Sequence, residues 1–292
     1  VKVLGTLARP EAFVGDTGRA FNYPMFLAKD GVYYTVDFAQ VSVLAMGKAS
    51  YVKTNLFTLK QRFVESLQRV LPEPEVALAG GILLGIQESL GESLEGAFRT
   101  TGVIHIVVLS GFNITIIALF VRQVCEWFRV RYPLWWSALL IVLFVIMVGA
   151  GAAVVRAAIM GLLASLALVS GRTYQITYAL MIAGFGMLMW NPLLLLYDPS
   201  FQLSFVATLG LIHFAPLVER HLTWIPNLLS IRTFAAATIG TQVAILPLLL
   251  FMIGELSLVA VPANMLVLVA VPWAMLAAFL AGLVGFVSVG LA

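Results

Sequence analysis

Little of this sequence is charged: 11% of its 292 residues are Asp, Glu, Lys or Arg, against about 25% in soluble globular chains. Water is therefore a poor solvent for much of the folded surface. The shortage is uneven. Lys and Arg crowd the stretch before Glu73, and after Tyr132 only Arg156, Arg172, Arg220 and Arg232 remain. Cysteine is nearly absent, and Cys125 alone excludes an internal disulfide framework and any multi-cysteine metal site. No Gly-rich phosphate loop ending in Lys occurs, which excludes that type of motor. No Gly-x-Ser-x-Gly turn and no His-rich cluster occur either. His105 has possible partners only in His213 and His221, which sit in other elements without ligand spacing. Ser110 and His105 fall on different helix faces, an unfavourable arrangement for a nucleophile and its base. The residues thus read as a non-enzyme with no metal and no cofactor. The start Val1-Lys2-Val3-Leu4 alternates like a strand and lacks the charged head and apolar run of a signal peptide. It does not begin with Met, and Val287 to Ala292 lie inside an apolar run, so both ends are expected to be cuts in a longer protein.

What is abundant is apolar. The chain is 61% hydrophobic with a mean hydropathy of +1.02. Residues 1–53 read as part of a small β-domain, with alternating stretches such as Tyr33-Tyr34-Thr35-Val36-Asp37-Phe38 between Gly, Pro and Asp turns. Residues 54–71 form a connecting helix: Leu56, Leu59, Phe63, Leu67 and Val70 recur at helical spacing, with Lys60, Arg62 and Arg69 off that face. Such a helix either lies on a membrane surface or packs on the β-domain. Residues 72–292 read as a multi-pass membrane domain. Pro72 to Gln87 is apolar but short, suited to a re-entrant or interfacial piece. Ser89 and Glu92 fit a capping box opening a short helix to Arg99. Seven spans follow, at about Val103–Val121, Leu134–Gly151, Ala153–Ser170, Ile176–Trp190, Phe201–Ala215, Phe234–Ile253 and Val259–Gly285. The last contains Pro262 and Pro272 and is expected to be broken or re-entrant. The fold class is thus an all-α polytopic bundle behind a partial β-domain.

The loops give an orientation. Arg122, Arg129, Arg131, Arg172, Arg220 and Arg232 fall in alternate loops, while the other set holds Asp198 and Glu255. The positive-inside tendency puts the first set in the cytoplasm and the β-domain outside the cytoplasmic membrane. The formal charge of +3 mostly reflects these loop cations. Trp127, Trp135, Trp136 and Trp190 fall near span ends, where amphipathic rings prefer to sit.

Polar groups inside spans mark function or helix contacts, because an Arg at a helix centre costs on the order of 3 kcal/mol to insert. Arg156 contacts a phosphate, pairs with a carboxylate, or snorkels to the headgroups. His105, Leu109 and Asn113 share one face, with Ser110 and Thr115 nearby, and either line a cavity or tie helices together. Gln202, Ser204, Thr238, Thr241, Gln242 and Asn264 add further polar positions.

Three stretches carry a family resemblance. Phe98-Arg99-Thr100-Thr101-Gly102-Val103-Ile104-His105 through Ser110-Gly111-Phe112-Asn113 resembles the "fr-tGl-HllaiSGlh" segment of the ComEC competence family, with Asn113 where many members have His. Val155-Arg156-Ala157-Ala158-Ile159-Met160, with Gly171-Arg172, is similar to its "vRA-iM…gR" segment. Asn191-Pro192 through Asp198-Pro199-Ser200-Phe201-Gln202-Leu203-Ser204-Phe205 resembles its "nP…d-sFqLSf" segment. Gly254 to Asn264 is similar to a fourth, and Asn22-Tyr23-Pro24 to Val32 resembles the end of the family's oligonucleotide/oligosaccharide-binding-like domain. The resemblance implies a channel subunit admitting single-stranded DNA during natural transformation. It implies a DNA receptor and a cytoplasmic ATPase or strand-binding proteins as partners, beside the lipid bilayer and other copies of the chain. The metal-binding motif of the family's C-terminal nuclease-like domain is absent, so no nuclease activity is expected here. Arg156, Arg99 and Arg172, with the donors of His105, Ser110, Asn113, Gln202, Ser204, Gln242 and Asn264, are the candidate lining of such a path. Phe201 and Phe205 either stack bases or face core and lipid. The competing reading is a secondary transporter for a small solute, built on the broken last helix.

Overall fold

A computed structural model describes residues 1–14, 18, 20–44, 50–86, 91–104, 110–224, 231–252, 254, 257 and 259–290. His105, Leu109, Ser89, Glu255 and Leu256 lie outside these residues. The alternating start forms β1 (Lys2–Ala8), paired antiparallel with β4 (Thr35–Ser42), so the small sheet is two-stranded. A short pairing of β2 (Phe13–Val14) with β3 (Ala20–Phe21) sits between them. One helix in this segment is unexpected, α1 (Tyr23–Ala28), which starts where Asn22 Oδ1 accepts from the Met25 amide at 3.2 Å and Pro24 fills the first turn.

Helices make up the rest. They are α2 (Tyr51–Val70), α3 (Glu75–Leu84), α4 (Glu92–Thr100), α5 (Gly111–Trp127), α6 (Pro133–Val148) and α7 (Ala152–Val169). Then follow α8 (Ile176–Trp190), α9 (Leu194–Tyr197), α10 (Pro199–His213), α11 (Ala215–His221), α12 (Ile231–Met252) and α13 (Ala260–Gly290). Neighbouring helices in the α5–α6–α7–α8 series pack on one another, α12 packs on α10 and α11, and α13 closes against α2, α3 and α12.

The solvent pattern is inverted relative to a soluble bundle. On α8, Tyr178, Met181, Ile182, Phe185 and Met189 are exposed at helical spacing, while Ala179, Leu180, Ala183 and Gly184 are buried. On α13, Leu266, Trp273, Leu280 and Val284 repeat the pattern. Large apolar residues outside and small ones inside describe helices packed closely in hydrocarbon, where close approach drives association. Glycines make the closest approaches: a Cβ on Gly210 would come within 2.8 Å of the Gly240 carbonyl, joining α10 to α12.

Several expectations need correction. Each expected span contains a helix, but among the described residues only Ala152–Val169, Ile231–Met252 and Ala260–Phe286 are long and apolar enough to cross alone. The count rises to four if α10 and α11, bent by 43° at their junction, act as one span. The others end early for local reasons. The 16 residues of α6 reach about 24 Å at 1.5 Å per residue, and Gly149 (φ +113°) stops them in the left-handed region. At α8 the chain turns extended at Asn191, ahead of Pro192. Within the run Val103–Val121, Gly111 opens helix α5, where Ser110 is extended and its Oγ accepts from the Asn113 amide; residues 105–109 lie outside the described residues. The last helix is not broken. Pro262 lies in its first turn, where the missing amide proton costs nothing, and α13 continues through Pro272. Gly91, rather than Ser89, precedes α4 as its cap.

The apolar side of the connecting helix faces neither lipid nor the β-sheet. It enters the main core with α3 and α13, where Leu67, Val76, Ile82, Leu83, Val271, Met275 and Ala278 are buried together. Gly282 and Gly285 make this possible, since added Cβ atoms would fall on the Phe63 ring and on Ser66. Ser66 Oγ also donates to the Gly282 carbonyl. Replacing Gly285 by Leu should therefore wedge α2 from α13 and cost about 1–3 kcal/mol, as overpacking does. Thermal unfolding in detergent measures this, and an unchanged midpoint would contradict the packing.

Candidate functional site

Arg156 stands in the second turn of α7 and is the only Lys or Arg within that helix. Its Nε donates to Ser204 Oγ on α10 at 2.7 Å, and its Nη1 lies 3.5 Å from Met160 Sδ one turn further along α7. The guanidinium carbon sits 5.9 Å from the Phe205 ring centre, within the range at which a cation is drawn to an aromatic face. On the third side is Gly111, at the start of α5, where a Cβ would stand 2.7 Å from Arg156 Nη2. A side chain here would push the guanidinium from its present position. Three helices thus converge on one cation, and no carboxylate pairs with it among the described residues.

The surroundings hold this arrangement in place. Phe205 stacks on Phe201 at 4.3 Å between centroids, and its ring occupies the gap over Gly184 of α8. Phe201 is buried with Ala152 and Met187, so its face belongs to the core. Tyr174, in the loop after α7, turns back so that its hydroxyl donates to the Met160 carbonyl at 3.4 Å. Burial pushes the Tyr174 hydroxyl above its ordinary value, with the nearby Arg156 charge pulling the other way.

Next to Gly111, Ser110 caps α5 and its Oγ donates to Asn113 Oδ1 at 3.2 Å. Asn113 is fully buried, and its Nδ2 donates to the Ile82 carbonyl of α3 at 3.2 Å. That bond ties the start of α5 to the end of α3 at a place where both backbones lack helical partners. Of the predicted residues, the fold therefore gathers Arg156, Ser204, Ser110 and Asn113 around one end of α5, α7 and α10. His105 lies outside the described residues. Gln202 is two residues before Ser204, on a different face of α10, and its Nε2 donates to the Leu195 carbonyl at 2.8 Å.

The remaining candidates lie elsewhere. Arg99 is exposed on α4 and pairs with Glu95 at 2.8 Å. Arg172 is exposed beyond the far end of α7, about 20 Å from Arg156 at helical rise. Gln242 is half-buried on α12. Asn264 on α13 is buried, and its Oδ1 has no hydrogen-bond partner among the described residues, as is true of Thr238 Oγ1 on α12. Among the described residues no three of His, Cys, Asp and Glu converge as metal ligands would.

Sequence reasoning missed Met160, Gly111 and Gly184 as parts of the Arg156 cradle. The Gly next to Ser110 and the residue four after Arg156 were the available signals. It also missed Lys29, whose ammonium lies 3.5 Å from Asp198 at the head of α10.

Comparison with known proteins places this geometry in context. The family model described as Competence protein matches residues 82–292, which include every element around Arg156. The chain is also 24% identical over 272 residues to ComE operon protein 3 of Bacillus subtilis (strain 168). That alignment covers 91% of this chain and 33% of the relative, so the chain spans about a third of that protein's length. No solved structure matches.

Replacing Asn113 by Ala removes the donor to the Ile82 carbonyl and leaves that acceptor buried, at a cost of about 1–2 kcal/mol. A lowered thermal midpoint in detergent is the expected result, whereas Arg99→Ala, on the surface, should leave the midpoint within experimental scatter.

Proposed function

Because the chain belongs to the Competence protein family, we propose that it forms the membrane path through which a single DNA strand enters the cytoplasm during natural transformation, with Arg156 as its phosphate contact. The observation that carries this reading is a cation set among apolar helices with, among the described residues, neutral partners only. Ser204 Oγ, Met160 Sδ and the Phe205 face hold the guanidinium in place and leave its charge uncompensated. A guanidinium meets phosphate through paired N–H donors. Arg156 also lies near the first turns of α5, α7 and α10, and helix N-termini carry partial positive charge that favours an anion. A moving polyanion needs contacts favourable enough to enter and weak enough to leave. One cation without a built-in counter-ion, among hydroxyl and amide donors, meets that requirement better than a cluster of cations.

In this reading the seven helical segments that begin with α5 line or support the path. The short ones rely on tilt, on local thinning of the bilayer or on protein cover to satisfy their ends. The β-sheet and α1 lie outside the cell, and the α5–α6 loop with Arg129 lies in the cytoplasm. The protein resides in the cytoplasmic membrane and performs no catalysis. A DNA receptor hands it the strand, a cytoplasmic ATPase or strand-binding protein supplies the pull, and other copies of the chain complete the wall where one copy does not enclose a strand. The transporter reading depended on a break in the last helix, and α13 is continuous.

Arg156→Ala in the full-length protein should lower the number of transformants by on the order of a hundredfold, as expected for loss of a phosphate contact in a low-dielectric path. Membrane insertion and expression should stay normal, with Arg156→Lys in between. Transformation at the unaltered level would remove Arg156 from the path. Orientation is checked separately: a cysteine at exposed Ser200 should react with an impermeant thiol reagent in intact cells, and one at exposed Arg129 only after lysis.

A further inference from the structure

We propose that Lys29 is a latch that fixes the amino-terminal segment to the membrane body and, through α10, positions the groups that hold Arg156. Lys29 follows α1 directly and reaches the α8–α10 corner at two points. Its Nζ lies 3.5 Å from Asp198 Oδ2, and its carbonyl accepts from Asn191 Nδ2 at 2.7 Å. The ammonium also rests 4.7 Å from the centre of the Phe26 ring. The Lys29 and Asp198 side chains are only 11% and 8% exposed. A second carboxylate, Asp30, stands 2.9 Å away but is 62% exposed, so solvent weakens its pull. Asp198 is therefore the partner that matters for a desolvated ammonium.

Asp198 serves two tasks with its two oxygens. Oδ1 accepts from the Ser200 and Phe201 amides at 2.9 and 3.3 Å and so starts α10, while Oδ2 faces Lys29. Asn191 is likewise shared, since its Oδ1 accepts from the Leu193 amide at 3.1 Å. Ser204 and Phe205, which hold Arg156, lie on the same helix, Ser204 about 9 Å beyond Asp198 at helical rise. A shift of the first turn of α10 moves both. The consequence for uptake rests on the proposed strand path, but the latch itself is read without DNA.

Asp198→Asn separates the two tasks, because Asn caps a helix as well as Asp while carrying no charge for Lys29. Lys29→Met keeps the length of the side chain and removes its charge, and Lys29→Arg restores it. In the full-length protein in lipid nanodiscs, hydrogen exchange is followed at the Phe26, Asp30 and Val32 amides, all hydrogen-bonded within this segment. Lys29→Met and Asp198→Asn should each raise their exchange on the order of tenfold, as loss of a buried pair implies. The double variant should go no further than either single one, Lys29→Arg should match the parent, and Ser200 and Phe201 should stay protected in Asp198→Asn. Transformants should fall in the same order. Unchanged exchange, or additive effects in the double variant, would overturn the latch. Raised exchange with undiminished transformation would overturn its positioning role. If Arg156→Ala leaves uptake intact, the strand path fails while the exchange data still decide the latch.

Discussion

A guanidinium held in an apolar bundle without a carboxylate constrains everything near it. Removing such a group from water is costly, and each part of its surroundings can be understood as a way to lower that cost without neutralising the charge. Ser204 offers a hydroxyl oxygen, Met160 a polarisable sulfur, and Phe205 the electron-rich face of a ring. Gly111 gives up a side chain so that the guanidinium can lie against the start of α5. These groups come from three helices, so the position of Arg156 depends on how α5, α7 and α10 meet. That meeting depends in turn on Asn113, which pins α5 to α3, and on Gly184, which makes room for Phe205.

The rest of the bundle follows the rule for helices in hydrocarbon. With no water to drive large side chains inward, close contact comes from small residues. Ala157, Ala158, Ala179, Ala183, Ala235 and Ala236 are buried while Phe185, Trp190 and Trp273 are exposed. The contact of α2 with α13 is a variant of the same device. Two glycines on an apolar helix receive Phe63 and Ser66 from a helix whose other face carries Lys60, Arg62 and Glu65. That charged face needs water, so the part of α13 around Gly282 and Gly285 lies beside an aqueous or headgroup region. At 31 residues, α13 is about 46 Å long against a hydrocarbon core of about 30 Å, and the excess accommodates this contact.

Much of this was legible in the residues because hydropathy and helix period act locally. Each apolar run does hold a helix, and the motif bearing Arg156 does meet the one bearing Ser204. Helix ends were legible only where a short signal marks them. The Asn191-Pro192 stop did so, but Ser110, which reads as a mid-span polar group, is the cap of α5. Pro272 was read as a break because proline removes one backbone bond, yet a long helix packed along much of its length keeps its course. Contacts between distant segments left no local mark. Lys29 and Asn191 meet although they are 162 residues apart. The apolar face of α2 finds its partner in α13, at the other end of the sequence.

The latch and the cation are also linked electrostatically. Asp198 lies about 9 Å by helical rise from Ser204, whose hydroxyl holds Arg156. Left uncompensated, its charge would attract the Arg156 guanidinium through the low-dielectric bundle. That pull would draw the guanidinium toward the head of α10 and offset part of its attraction for an anion. Lys29 prevents this by occupying Asp198 Oδ2, while the Ser200 and Phe201 amides occupy Oδ1. The carboxylate can then start the helix that supports Arg156 without serving as its counter-ion. On the proposed strand path, a cation from the amino-terminal segment thus keeps the charge of Arg156 available to an anion.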